Sequence, residues 1–510
     1  MAARLLLRAF PRYNRFAVRA QPDSRLLLAT LLIGLSLWAA SCAVPLGPGY
    51  TIEKQRFQVR FVAEPEPRIR IEADYQLKNT GNRALRELEL RLPGRRRFRY
   101  ENPSAQWDST SLAIGESRDN PRNSVLTLNE PWTMSTRHGL RLAVEFSPPR
   151  EGEPALSFSR DAFFLPASGW SPELLPSSGL FGSGGVPPKT WELLVAVPEG
   201  FQIHTSGLQK KSARRNGELS LLAEQGPKDP YPFVIAGRYK TAQIGKGRGR
   251  IHLWTREQEE SERLREADAA FTRVAEAYNA SFGERSRESE QTWIVECPVL
   301  TNCFSNLNPM TAKLLGEEEN EPATAEMISQ DTMVVDISGG MPKLAAAAAP
   351  SLASSWLGYG QNPAFHEQGP PLSLLPAFAA SIGREAAVGT PSRDETIRTA
   401  LHLIPVEAKP RQTESASVLR AKSFLFFYAL QDYYGREMFR RAIEHVLYAR
   451  RGRGFELSDL IAAFEQEDPR RNAAEFVRHW MKHPGVPEEF RARYEGTTAA
   501  RVDTHKETTP

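Results

Sequence analysis

Residues 68–77 read RIRIEADYQL, apolar and polar in alternation. A period of two sets one face of a strand against a core and the other against solvent, so this run predicts a half-buried antiparallel strand. A turn signal follows at Thr80-Gly81-Asn82, after which Leu88, Leu90 and Leu92 alternate again, as do Leu140, Leu142, Val144 and Phe146. Residues 192–197 and 231–239 repeat the pattern, so 51–252 reads as an all-β domain of antiparallel sheets with a Pro/Gly/Ser-rich loop at 174–189. From Thr255 the period changes. Phe271, Val274, Ala275, Tyr278 and Phe282 stand at helical spacing behind Glu257, Glu259 and Glu260, acids that complement the dipole of a helix start. Short strands are expected at 292–296 and 332–337 with an acidic loop, 316–321, between them. Helices are expected at 343–357, 372–382, 417–434, 436–449, 456–466 and 472–482. Residues 253–490 thus form a mixed, mainly helical second domain, and 491–510 is a polar tail expected to be disordered.

Charge changes the picture at the N-terminus. Residues 1–41 hold six of the 65 basic residues and one of the 61 acids, which leaves 59 against 60 for the rest. The basic excess belongs to a leader, and nothing in the body of the chain suggests a nucleic-acid partner. In that leader an Arg-rich stretch precedes an uncharged apolar run, 26–38, and then Ala39-Ala40-Ser41-Cys42. This is the order of a secretory signal, and its end resembles a bacterial lipoprotein signal, in which the cysteine is lipidated and becomes the new N-terminus. The resemblance implies a signal peptide over 1–41, a lipidated tether over 42–50 attached through Cys42, and a place in the cell envelope, facing the periplasm or the exterior. An uncleaved anchor, for which 26–42 is short, and a transit peptide are the other readings.

Cysteine usage agrees with export. Besides Cys42 there are only Cys297 and Cys303, in CPVLTNC, close enough to pair in an oxidising compartment. The alternative is two unpaired thiols, which without a nearby histidine make half a zinc site at best.

Most motifs of catalysis are missing. Ser183 lacks the glycine two residues before it that a nucleophile elbow needs, and GKGRGR at 245–250 lacks the strand and helix of a phosphate loop. His479 and His483 are four apart, but no glutamate follows His479 and Pro484 ends the helix; His366-Glu367 has Pro370 where a second histidine would fall.

A resemblance runs through the rest. WELLVAVPEGFQIHTSG at 191–207 and FVIAGRYK at 233–240 are similar to the closing strands of the N-terminal β domain of aminopeptidase N-type zinc peptidases, the gluzincin family that includes leukotriene hydrolase. Ser355-Trp356-Leu357-Gly358 resembles the segment after that family's zinc-binding helix, and Pro376-Ala377-Phe378-Ala379 the segment that begins with its third zinc ligand. Ala421-Lys422-Ser423 and YGREMF at 434–439 resemble its catalytic-tyrosine helix and the helix after it. FVRHWMKHPGVP at 476–487 closes the match, which covers about residues 55–490. The resemblance implies a β saddle followed by a degenerate peptidase domain of thermolysin-like α/β, mainly helical architecture.

What the matching positions hold is unusual for the family. A His-Glu-x-x-His helix sets two imidazoles and a catalytic carboxylate on one face. Here those positions are Pro350, Ser351 and Ser354; the third ligand position is Pro376, and the tyrosine position is Arg420. None is an imidazole, carboxylate or thiolate, so no zinc and no other cofactor is expected. The family's substrate-amine glutamate matches Glu319 by its neighbour or Glu326 by its distance from Pro350. The expectation is a membrane-anchored pseudopeptidase that holds a peptide or protein. The alternatives are a zinc aminopeptidase with atypical ligands among His366, Glu367, Glu385 and His402, and a structural envelope component.

Overall fold

The computed structural model describes residues 49–502 apart from 93–99, 118–119, 121–122, 148–156, 168, 177–184, 227–230, 246–249, 285–290, 299–324, 330, 338–339, 358–370, 390, 406–414 and 451–454. Cys42, Cys303, Glu319, His366 and Glu367, with the leader and the end of the tail, lie outside the described residues.

The N-terminal region is β-rich and multi-sheet. Its largest sheet has eight strands in the order Leu208–Arg215, Glu218–Glu224, Trp191–Pro198, Tyr50–Val62, Arg68–Asn79, Arg137–Phe146, Tyr100–Trp107 and Thr110–Leu112. Alternation works as its pattern dictates: Ile69, Ile71, Ala73, Tyr75 and Leu77 are buried while Arg68, Arg70 and Gln76 are exposed. Two four-stranded sheets cover the buried side, and their shared core gathers Phe57, Phe61, Trp132, Trp170 and Trp191. The sheets are not wholly antiparallel as expected: Tyr50–Val62 pairs parallel with Trp191–Pro198, Gln55 opposite Trp191. The long excursion between these strands supplies the crossover that a parallel pair requires, and period two is the same for either direction.

The expected boundary at 252 falls within a strand, Arg250–Thr255. Lys240–Ile244 and Arg250–Thr255 belong to a five-stranded sheet with Gln291–Glu296, Thr332–Val335 and Ala325–Met327, in that order. The three inner strands run parallel and the outer two antiparallel, so residues on both sides of 252 share one sheet.

Helices then dominate: α1 (Ser261–Phe282), α2 (Met341–Leu357), α3 (Leu375–Val388), α4 (Arg393–His402), α5 (Ala416–Tyr434), α6 (Arg436–Ala449), α7 (Leu457–Glu467), α8 (Ala473–Lys482) and α9 (Glu488–Val502). α4 is absent from the expected set, and α9 occupies the start of the segment expected to be disordered. Phe490 and Tyr494 are buried, and the Arg491 guanidinium donates to the Ile404 carbonyl at 2.9 Å, which fixes that turn to the loop after α4. Among the described residues no helix is long and apolar enough to cross a membrane.

Candidate functional site

The family resemblance directs attention to α2, α3 and α5. α2 buries Leu344, Ala345, Ala348, Ala349, Leu352 and Ala353, so its inward face is mostly methyl groups. Small side chains let neighbouring helices approach closely, and Gly383 of α3 marks the tightest point. A Cβ there would stand 2.2 Å from the Tyr278 hydroxyl and 2.7 Å from the Ala349 Cβ. Tyr278, buried on α1, donates its hydroxyl to the Ala349 carbonyl at 2.7 Å. Burial holds that phenol well above its ordinary pKa, so it remains a donor at any physiological pH. Arg273 of α1 donates to the Ala386 and Ala387 carbonyls at 3.1 and 2.9 Å and closes the C-terminal turn of α3. The Ser381 and Tyr428 hydroxyls, 2.6 Å apart, join α3 to α5.

Pro350 lies inside α2 and is exposed, on the same side as Lys343. Having no N–H, it cannot donate to the carbonyl of residue 346, and its nitrogen has no lone pair for a metal. Ser351 and Ser354 follow on the same helix. Pro376 is the second residue of α3 and half-buried, where the missing N–H would be an orphan in any case. Arg420 is exposed on α5. Prolines and hydroxyls are not the imidazole, thiolate and carboxylate donors of a catalytic zinc site, so this set does not fit that metal.

Other groups fall as follows. Glu326 sits on Ala325–Met327, the antiparallel edge strand of the five-stranded sheet, opposite Val334. Glu385 is half-buried on α3, and His402 is exposed in the last turn of α4. His479 and His483 have ring centroids 5.9 Å apart, and His479 lies 3.4 Å from Glu489. Among the described residues no three His, Cys, Asp or Glu side chains come together as a metal-holding group. Lys422 is structural. At 1% exposure, its ammonium donates to the Met481 carbonyl at 3.3 Å and to the His483 carbonyl, satisfying the end of α8. Cys297 is buried and disulfide-bonded, and its partner lies outside the described residues.

Sequence reasoning passed over the junction between the β-rich and helical regions. His204, on the strand Gln202–Thr205, is buried, and its Nε2 is 2.8 Å from the Thr332 hydroxyl in the five-stranded sheet. Thr332 donates in turn to Asp331 at 2.9 Å, so the hydroxyl accepts from His204, which carries a proton on Nε2. The Trp293 indole is sandwiched between His204 and His252, with both ring centroids 4.3 Å away. Burial lowers the His204 pKa to about 4; Asp331 opposes that shift and His252 adds to it. The only signal in sequence was a histidine at an inward-facing strand position, which has no chemical meaning until its neighbours are known.

No family model matches the chain, and no curated protein does. Solved structures do resemble it. The M1 zinc metallopeptidase from Deinococcus radiodurans is 16% identical over 86% of this chain and 95% of that chain, with a TM-score of 0.47. A mutant of the M1 zinc metallopeptidase from the same organism, 16% identical, covers 86% of this chain and 96% of that one with a TM-score of 0.45. A mutant two-domain M1 zinc metallopeptidase bound to L-tryptophan is 17% identical over the same shares, also at 0.45. Neither a family nor an activity follows from likeness at this level.

Proposed function

We propose that the chain is an exported lipoprotein, attached to the membrane through a lipidated Cys42, whose body is a non-catalytic relative of aminopeptidase N-type peptidases that binds a peptide or protein. The observation that carries this reading is Pro350, exposed in the middle of α2, at the position the resemblance gives to the first zinc histidine. A substitution of His by Pro removes the ligand and a backbone hydrogen bond together. With Ser351, Ser354, Pro376 and Arg420 at the other family positions, no imidazole, thiolate or carboxylate is left there to hold a metal or activate water. The body works in the cell envelope, facing the periplasm or the exterior, without zinc and without nucleic acid. Either Glu319 or Glu326 contacts the amine of a bound peptide.

The purified protein should hydrolyse aminoacyl substrates no faster than a buffer blank while retaining labelled peptides in a saturable, competable way. Chelator-sensitive hydrolysis contradicts the reading, and so does the absence of any peptide or protein capture. Cys42→Ala should abolish incorporation of labelled fatty acid; unchanged membrane attachment in that variant would contradict the lipid anchor.

A further inference from the structure

The first described residue, Gly49, is tied into one end of the eight-stranded sheet. Its carbonyl accepts from the Thr80 and Gly81 amides at 3.2 and 2.7 Å. Asn79 braces the same place: its side-chain amide donates to the Arg83 and Trp132 carbonyls at 3.1 and 2.9 Å, and its own carbonyl accepts from the Ser135 amide at 3.0 Å. Lys189 lies directly beside, its amide bonded to the Ile52 carbonyl at 2.9 Å. The point where the chain leaves for Cys42 is therefore held rigidly between the turn after Asn79, the turn around Met134 and the approach to Trp191.

That end of the sheet is chemically distinctive. Met134 is 54% exposed at the tip of its turn, a large apolar side chain in water. Around it stand Arg83, Arg137 and Lys189, all exposed, and Lys78, half-buried. Glu53 accepts a fork from Arg137 at 2.7 and 3.3 Å and also lies in the fields of Lys189 and Lys78, and exposed Glu130 stands on the strand that leads into the turn. The next acid along the rim, Asp108, is taken up by His138 and by the Gly139 amide. An apolar tip ringed by cations is the pattern by which a protein surface meets anionic headgroups, methionine entering the interface and ammonium and guanidinium groups meeting phosphate.

Chain length makes the contact geometrically available. Six residues lie between Cys42 and Gly49, and the seven Cα-to-Cα steps reach at most about 25 Å when fully extended. Over such a span the anchor holds this rim at high effective concentration against the bilayer, while screening confines the electrostatic attraction to about 8 Å at physiological salt. We propose that the Met134 turn and its cations, Lys78, Arg83, Arg137 and Lys189, form a membrane-docking surface for anionic phospholipid that orients the body on the lipid anchor.

This docking surface rests on the proposed anchor, and the test separates the two. Protein extracted as the cell makes it is reconstituted in phosphatidylcholine vesicles with or without phosphatidylglycerol, and amide hydrogen exchange is followed by mass spectrometry. The mass of the N-terminal peptide from the same sample reports the lipid on Cys42 independently. Amides at 79–83 and 133–137 should exchange several-fold more slowly on the anionic vesicles, and the difference should vanish in high salt. Each cation neutralised should weaken docking on the order of fivefold and each one reversed by more, so Arg83→Glu with Lys189→Glu should abolish the protection. Should that variant fold poorly, the salt titration of the unaltered protein decides. Equal exchange on the two lipid compositions, or protection indifferent to salt, would overturn the docking surface even if Cys42 is lipidated.

Discussion

His204 joins the two regions of the chain through a hydrogen bond in which its Nε2–H donates to the Thr332 hydroxyl, itself committed to Asp331. Its folded pKa of about 4 lies below the ordinary 6.5, so the unfolded chain takes up the proton more readily. The stability it contributes is complete above pH 6.5 and is lost as pH falls from 6.5 toward about 4, on the order of 3 kcal/mol at the limit. The gap in unfolding free energy between the native protein and His204→Phe should narrow across that window in denaturant titrations. A gap constant with pH would contradict the assignment. At Gly383 two effects compete: alanine would gain about 1 kcal/mol of helix propensity, but its Cβ would meet the Tyr278 hydroxyl and Ala349 at less than contact distance. Overpacking of about 1–3 kcal/mol wins, and Gly383→Ala should lower the melting temperature; an unchanged or raised one would show the helices free to part.

α2 carries an element-scale cost, a proline in its interior. Pro350 sits where an amide would complete the helix, and being exposed it has little packing to lose. Pro350→Ala should therefore stabilise the protein by about 1–3 kcal/mol, read as a raised midpoint in urea. A destabilised variant would mean that the surrounding structure depends on the proline. This element was legible because a run of alanines and leucines ending at Trp356 has one period only. So was α6, whose bounds Arg436–Ala449 agree with its pattern. α4 was not legible, although its capping box is complete: Ser392 accepts from the Glu395 amide and Glu395 from the Ser392 amide. RDETIRTALH has too few apolar positions for periodicity to register, and its stability comes from Ile397, Ala400 and Leu401 packing on neighbours distant in sequence. The strands Lys240–Ile244 and Arg250–Thr255 were not named in the sequence; they pair with each other, and the second pairs with Gln291–Glu296 in the five-stranded sheet, a partnership that alternation does not report.

The whole molecule binds its two regions through a compact apolar patch, where Phe164, Phe233, Ile235 and Tyr239 meet Trp254, Val295, Cys297 and Val334. Tyr239 adds a hydrogen bond from its hydroxyl to the Glu296 carbonyl at 3.1 Å. The candidate positions were named in sequence from the order of the segments that resemble the family, and the structure places Pro350, Ser351 and Ser354 on α2, Pro376 on α3 and Arg420 on α5. Their surroundings were not legible: the closeness of Tyr278, Ala349 and Gly383, and the exposure of Pro350 and Arg420, depend on helix faces that only the assembled fold defines. The proposed absence of zinc chemistry at Pro350, Ser351, Ser354 and Pro376 is read out by metal content. Protein purified without chelator and analysed by elemental mass spectrometry should hold zinc well below one atom per chain, before and after incubation with excess zinc and gel filtration. One zinc per chain, retained through that treatment, would contradict the account and establish a metal site among residues other than Pro350, Ser351, Ser354 and Pro376.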